Sequence, residues 1–331
     1  MADETASANP RRARALALLA AKLAVVVALI WVAVRGISVD ALVSALARTS
    51  ASSVLLAVLI QCAAILAAAY RWHLCLAALG MVGSIGRTVQ VYLISNFLGT
   101  ALPAGIGQDV IRIYAMARDG EGDARRLARA TASVLLDRIA GLAAFALLGL
   151  PAIVAFYARD PAITAGCVGL PAGWLPSART LLVGAMLLAV GGILAASSRW
   201  SRGRWPAVRE TASIILDQWP RLLVIAVLSA LIVLLVSLVV AALGWSLTPA
   251  VPLTEYLLLV PLIAFLAQLP ISILGLGVRE VGFVALFACA TAARADVLAL
   301  SLVYFAVGLV ANLMGGLALL RAGESPRRRP Y

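Results

Sequence analysis

The chain has 331 residues, of which 63% are hydrophobic and 13% charged, and its mean hydropathy is +1.02. A soluble domain is about 45–50% apolar and about 25% charged, so this composition excludes an ordinary water-soluble globule. The net charge of +12 comes from arginines scattered between apolar runs rather than gathered in one block, which argues against a nucleic-acid partner.

Apolar runs long enough to cross about 30 Å of hydrocarbon recur along the chain. Six runs predict ordinary spans, near 15–34, 51–70, 130–157, 179–197, 221–243 and 297–320. We therefore predict an all-α, multi-pass membrane protein of about seven to nine transmembrane segments. A basic N-terminus (1–14) precedes a single integral membrane domain (15–320), and a basic tail (321–331) follows it.

Arginine is distributed unevenly between the predicted loops. Five segments together hold 19 arginines: the N-terminal segment, the loops 71–87, 105–129 and 199–221, and the C-terminal tail. The loops 35–50, 159–179 and 244–254 hold only four. Because positively charged loops are retained inside, we predict both termini on the cytoplasmic side of the membrane.

The apolar region 88–104 does not fit a single crossing. Both loops that flank it carry arginines and are predicted to be cytoplasmic, and the region itself contains Gln90, Asn96 and Pro103. We predict a re-entrant hairpin, which is allowed where protein or a water-filled cavity satisfies the backbone. The alternative is an ordinary span with an atypically basic outer loop.

A second interrupted region lies within 255–293. Here the run from Leu269-Pro270 to Arg279-Glu280 resembles the run from Leu102-Pro103 to Arg112. Proline removes a backbone donor, so both runs should break a helix at membrane depth. Two broken segments entered from opposite faces are typical of an inverted transporter repeat. The alternatives are a chance resemblance and a trace in which 255–320 crosses three times.

Charged residues within the apolar regions are the candidate site, because a charge in the bilayer is costly unless it is paired or hydrated. They form three acid–arginine pairs. An arginine fork matches phosphate oxygens, so these residues suit a phosphate-bearing headgroup; the alternative is that each pair only neutralises itself. Asn96, Gln268 and Asn312 either line the same cavity or bridge helices. The predicted substrate-binding residues are Asp109, Arg112, Asp137, Arg138, Arg279, Glu280 and Asn96.

These residues resemble motifs of the flippase-like transmembrane family, the N-terminal membrane half of bacterial lysylphosphatidylglycerol synthases (multiple peptide resistance factors). The resemblance covers about 15–320 and is most specific at four runs. They are Arg71-Trp72, Asn96 to Arg112, Leu136-Asp137-Arg138 to Leu142, and Leu269-Pro270 to Glu280. The chain departs from the usual pattern at Gln108 and Leu274, where glycine is common.

The resemblance implies a lipid flippase of the bacterial cytoplasmic (inner) membrane, which moves a phospholipid or lipid-linked headgroup from the inner to the outer leaflet. Neither an ATP-binding phosphate loop nor a region similar to the soluble aminoacyl-transfer domain is present. We therefore expect that the protein is not an enzyme and that it has no cofactor, catalytic residue or metal site. One alternative is a membrane-embedded headgroup-transfer enzyme with Asp109 or Glu280 as base. Another is a membrane partner of a separate synthase or glycosyltransferase, and homo-oligomerisation is also compatible with the sequence.

Overall fold

The computed structural model of the protein describes residues 24, 26–81, 83–100, 106–118, 124–159, 218–268, 275–288 and 293–324. The described residues are helical apart from short turns and contain no strand. The helices are α1 (Val26–Val34), α2 (Val39–Ala47), α3 (Ala51–Ala78), α4 (Ile85–Thr100), α5 (Ile106–Arg118), α6 (Ala124–Arg159), α7 (Trp219–Leu247), α8 (Leu253–Gln268), α9 (Val278–Ala288) and α10 (Arg294–Glu324). The predicted span 179–197 and both Leu-Pro pairs lie outside the described residues.

Four of these helices, α3, α6, α7 and α10, are long and apolar enough to cross a membrane. They coincide with the predicted spans 51–70, 130–157, 221–243 and 297–320, which confirms a multi-pass helical membrane protein. Local sequence fixes where they begin. The hydroxyl of Ser50 accepts a hydrogen bond from the amide of Ser53 at the start of α3. Pro220 stands in the first turn of α7, where its missing N–H costs nothing.

The chain bends sharply after its first described helix. Helices α1 and α2 meet at 83°, and this bend follows the run predicted over 15–34, of which α1 covers residues 26–34. Gly36, with a φ of 81°, lies at the corner, in a conformation that favours glycine. Helix α2 packs against α10, and an ion pair between Arg48 and Asp296 joins the two. Segment 35–50 is therefore a second helix rather than an open loop.

Helices α4 and α5 form a hairpin around residues 101–105. The Arg112 side chain of α5 donates hydrogen bonds to Ser95 and Asn96 of α4, and a Cβ on Gly99 would lie 2.8 Å from Cβ of Gln108. These contacts require antiparallel helices. Helix α4 has 16 residues, which makes it about 24 Å long and shorter than about 30 Å of hydrocarbon.

Helices α8 and α9 form a second hairpin. A Cβ on Gly282 would lie 3.3 Å from Ile263, and one on Gly275 would lie 2.9 Å from the carbonyl oxygen of Ala267. Gly275 and Gly277 have φ values of 73° and 83°, in the left-handed region that favours glycine. Helix α9 has 11 residues, and about 16 Å of helix is too short to cross the hydrocarbon. The described part of this region thus has the hairpin form that the re-entrant interpretation predicts.

The order long helix, hairpin, long helix occurs twice, in α3–α6 and in α7–α10. Exchanging α3 with α7, α4 with α8, α5 with α9 and α6 with α10 maps the contacts within one unit onto those within the other. It also maps the contacts between the units onto one another, since α6 packs on α8 as α10 packs on α4. The two units are therefore a structural repeat.

The repeat is inverted, because α3 and α7 run antiparallel. Near one end a guanidinium nitrogen of Arg221 donates to the carbonyl oxygen of Ala77 at 3.2 Å. Leu56 and Trp245 line one groove near the other end. The axis that relates the repeats is consequently perpendicular to the long helices, so equivalent hairpins point in opposite directions. This arrangement agrees with the predicted inverted repeat.

Close helix approach between the repeats depends on glycine. A Cβ on Gly315 would lie 2.0 Å from the carbonyl oxygen of Leu93 and 2.6 Å from Cβ of Phe97. In the equivalent interface, a Cβ on Gly149 would lie 2.9 Å from Cα of Leu262. Small residues allow such backbone contact between membrane helices.

We predict that Gly315→Val lowers the free energy of unfolding by about 3 kcal/mol, the upper end of typical overpacking costs, because the added methyl groups separate α10 from α4. Gly308→Val is the matched control, since a Cβ at Gly308 meets nothing within 4 Å on the same helix. Denaturant titration of both variants in detergent micelles measures the difference. Equal stabilities would contradict the close approach of α4 and α10.

Candidate functional site

A cavity of about 380 Å³ lies between the two hairpins and the long helices α3, α6, α7 and α10. Its charged lining residues are Arg71, Arg112, Asp137, Arg138 and Arg279. Its uncharged polar lining residues are Gln61, Tyr92, Asn96, Gln108, Gln268, Tyr304 and Asn312. Most of the remaining wall is aliphatic. The cavity thus has the character of a ligand pocket, apolar with converging polar groups.

Asp137 of α6 holds two buried arginines at one end of the cavity. One carboxylate oxygen accepts a hydrogen bond from Nε of Arg71 at 2.8 Å, and the other accepts from a terminal nitrogen of Arg112 at 3.4 Å. All three residues are less than 9% exposed. Arg71 also donates to the hydroxyl of Ser229, at 3.1 Å, on α7 of the other repeat. The cluster carries two positive charges and one negative charge.

Arg112 is held on several sides. Its Nε donates to the hydroxyl of Ser95 at 3.2 Å, and a terminal nitrogen donates to the side-chain oxygen of Asn96 at 3.0 Å. The guanidinium carbon lies 3.9 Å from the ring centre of Tyr92 and 5.5 Å from that of Trp72. These contacts hold the guanidinium in one position. Little further side-chain entropy is therefore lost when it binds a ligand.

Arg138 and Asp109 form a bidentate pair between α6 and α5. Both hydrogen bonds, from Nε and from a terminal nitrogen of Arg138, are 3.0 Å long. The side chains are 34% and 20% exposed, so this pair lies at the open part of the cavity. Arg138 lines the cavity, whereas Asp109 lies behind it.

Arg279 and Glu280, neighbours at the start of α9, form the third pair. Nε of Arg279 donates to Glu280 at 3.0 Å, and the second carboxylate oxygen accepts from the amide of Gly277 at 2.6 Å. The ring of Phe305 lies 4.7 Å below the guanidinium carbon. Arg279 lines the cavity and Glu280 does not, so the cation faces the cavity while its counter-ion lies behind it.

Charges around the cavity do not cancel. Among the residues that the structure describes, four arginines, at 71, 112, 138 and 279, line it, and three carboxylates, at 109, 137 and 280, pair with them. The group therefore has a net charge of one positive unit, and two of its carboxylates lie outside the lining. A low-dielectric cavity with an excess arginine favours an anion.

The structure brings together the residues proposed from the sequence. Five of the seven line one cavity, and Asp109 and Glu280 support its arginines from behind. Gln268 and Asn312 also line it. Sequence reasoning noted Arg71 within a motif but not as part of the site, because it follows the apolar run 51–70 and was assigned to a loop. Gln61, a polar amide inside that same apolar run, is the feature of the sequence that could have indicated that α3 lines the cavity.

His73 lies apart from this cavity and contacts the hydroxyl of Thr88 at 3.2 Å. Among the residues that the structure describes, no three His, Cys, Asp or Glu side chains lie close enough to share a metal ion. Within the same residues, the chemistry available at the cavity is that of arginine, carboxylate, amide and phenol groups.

We predict that Asp137→Asn lowers the free energy of unfolding by about 3–5 kcal/mol, because it leaves two buried arginines without a counter-ion. Asp296→Asn is the matched control: its partner Arg48 is 53% exposed, and such a surface pair is worth about 1 kcal/mol or less. Denaturant titration in micelles compares them. Similar losses would show that Asp137 does not carry the buried charge balance.

Residues 19–316 match the family model described as the lysylphosphatidylglycerol synthase TM region. A search of curated proteins found no match to the chain. The family match spans both hairpins, all residues that line the cavity and both repeats except the last turns of α10. Its extent agrees with the resemblance inferred from the motifs. The chain therefore belongs to the family of the lysylphosphatidylglycerol synthase transmembrane region.

Proposed function

We propose that the protein translocates a phosphate-bearing lipid between the leaflets of the bacterial cytoplasmic membrane. The observation that carries this proposal is the cavity between two oppositely directed hairpins, each of which contributes a buried arginine, Arg112 or Arg279. Aligned on their Leu-Pro pairs, the two arginines occupy equivalent positions in the repeats. Each repeat therefore supplies one arginine that can bind phosphate in the cavity.

The chemistry of the cavity supports a phosphate ligand. A guanidinium stays charged at any physiological pH and donates two parallel hydrogen bonds to phosphate oxygens. The cavity volume of about 380 Å³ suits a headgroup, and the exposed apolar faces of the long helices leave the acyl chains in lipid. The lipid then moves with its polar part screened by protein and its tails outside.

Inverted repeats also support a mechanism for access from two sides. In transporters of this kind, one repeat rocks against the other around a fixed central site. Here Arg71 links the repeats through Ser229, beside the site. We propose that both termini are cytoplasmic, on the distribution of arginines, so the α4–α5 hairpin enters from the cytoplasm and the α8–α9 hairpin from outside. Transport is passive or ion-coupled in this scheme.

We predict that Arg112→Gln and Arg279→Gln each reduce lipid translocation to the rate of empty liposomes, because each removes a phosphate fork. Glutamine keeps hydrogen-bonding capacity and most of the side-chain length. Purified protein in liposomes with acyl-labelled fluorescent phospholipids gives the readout, as the fraction quenched by a membrane-impermeant reagent.

Arg118→Gln is the control, since Arg118 lies on the same helix as Arg112 but is exposed and does not line the cavity. Size-exclusion profiles and melting temperatures establish that each variant is folded. A folded Arg112 or Arg279 variant with the wild-type rate would remove that residue from the site. A wild type no faster than empty liposomes would overturn the proposed function.

A further inference from the structure

We infer that the lipid taken by this cavity is an anionic phosphodiester whose headgroup carries hydroxyls and no cation, such as a glycerol or sugar phosphodiester. The inference rests on the proposed function and names its substrate class. Three observations on the described residues carry it: the net charge of the cavity, the engagement of its carboxylates, and an amide acceptor without a partner.

The charge around the cavity matches one negative charge. Its four arginines exceed its three carboxylates by one. A phosphodiester with an uncharged headgroup makes the occupied cavity neutral, which is the cheapest state in a medium of low dielectric. A zwitterionic headgroup leaves one uncompensated positive charge. A phosphodiester that carries two ammonium groups leaves two.

No carboxylate in the described part of the cavity is open to an ammonium group. Asp137, which lines the cavity, accepts from Arg71 with one oxygen and from Arg112 with the other. Asp109 is bound on both oxygens by Arg138. Glu280 is bound by Arg279 and by the amide of Gly277. An incoming ammonium would therefore share a carboxylate whose charge an arginine already balances.

Amide side chains in the cavity wall offer both the hydrogen-bond donors and the acceptors that a hydroxyl can pair with. Gln61, Gln108, Gln268 and Asn312 line the cavity together with Asn96. The side-chain oxygen of Gln61 has almost no exposed surface and no hydrogen-bond partner in the described residues, so a ligand reaches it only when the amide turns toward the cavity. A buried acceptor is costly unless it is satisfied, and a phosphate diester offers no proton to it. A headgroup hydroxyl both donates to an amide oxygen and accepts from an amide nitrogen.

The test compares headgroups in liposomes that contain the purified protein and acyl-labelled lipids. The probes are phosphatidylglycerol, phosphatidylethanolamine and lysyl-phosphatidylglycerol, which differ in headgroup charge on a common phosphodiester. We expect phosphatidylglycerol to move at least about tenfold faster than either of the others, which corresponds to about 1.4 kcal/mol in the barrier. Equilibrium binding of short-chain versions of the three lipids to the protein in micelles should follow the same order.

The Gln61→Leu variant tests whether Gln61 recognises headgroup hydroxyls or only stabilises the fold. It should lower the phosphatidylglycerol rate about tenfold and change the phosphatidylethanolamine rate less than twofold. Gln90→Leu is the matched control, because Gln90 is half-buried on α4 and does not line the cavity. An equal effect of Gln61→Leu on all headgroups would overturn the role of Gln61 in recognising hydroxyls.

Failure of the cargo inference and failure of the proposed function give different results. If lysyl-phosphatidylglycerol moves or binds as well as phosphatidylglycerol, the cargo inference is wrong and translocation stands. If no lipid moves but phosphatidylglycerol binds preferentially, translocation is wrong and the ligand class stands. Absence of both movement and preferential binding overturns both.

Discussion

Burying a guanidinium inside a membrane is the constraint on which this structure depends. An unpaired ion in hydrocarbon is costly, so every arginine around the cavity is held by a carboxylate. Asp137 is the carboxylate that balances the most buried charge, because it pairs with both Arg71 and Arg112. The helices that carry these three residues, α3, α5 and α6, are therefore joined at the cavity by charge as well as by packing.

The two repeats share a framework but hold their arginines differently. Aligned on the Leu-Pro pairs, Arg112 corresponds to Arg279, and Asp137 corresponds to Tyr304, whose ring centre lies 6.0 Å from the guanidinium carbon of Arg279. The carboxylate for Arg279 comes instead from its neighbour Glu280. The two repeats are thus alike in their helix contacts, whereas the asymmetry of the charges makes the hairpins chemically distinct.

This difference bears on how the hairpins move. Arg112 is tied to α6, and through Asp137 to α3, so the α4–α5 hairpin is linked to the long helices of its own repeat. Arg279 has its counter-ion within its own hairpin, and the hydroxyl of Ser301 on α10 lies 3.5 Å from Glu280. The charge balance of the second hairpin is therefore contained within that hairpin, whereas that of the first depends on its position against α3 and α6.

Sequence determined the four long spans, because about 20 apolar residues admit few alternatives to a membrane helix. It also favoured both hairpins, since the arginine-bearing loops on each side of 88–104 and the Pro/Gly breaks argue against simple crossings. Only the tertiary structure decided that Asp137 pairs with Arg71, 66 positions away, and that Gln61 faces the same cavity. Hydropathy and loop charge are summed along the chain, whereas a counter-ion is selected by distance in space, which depends on how the repeats pack.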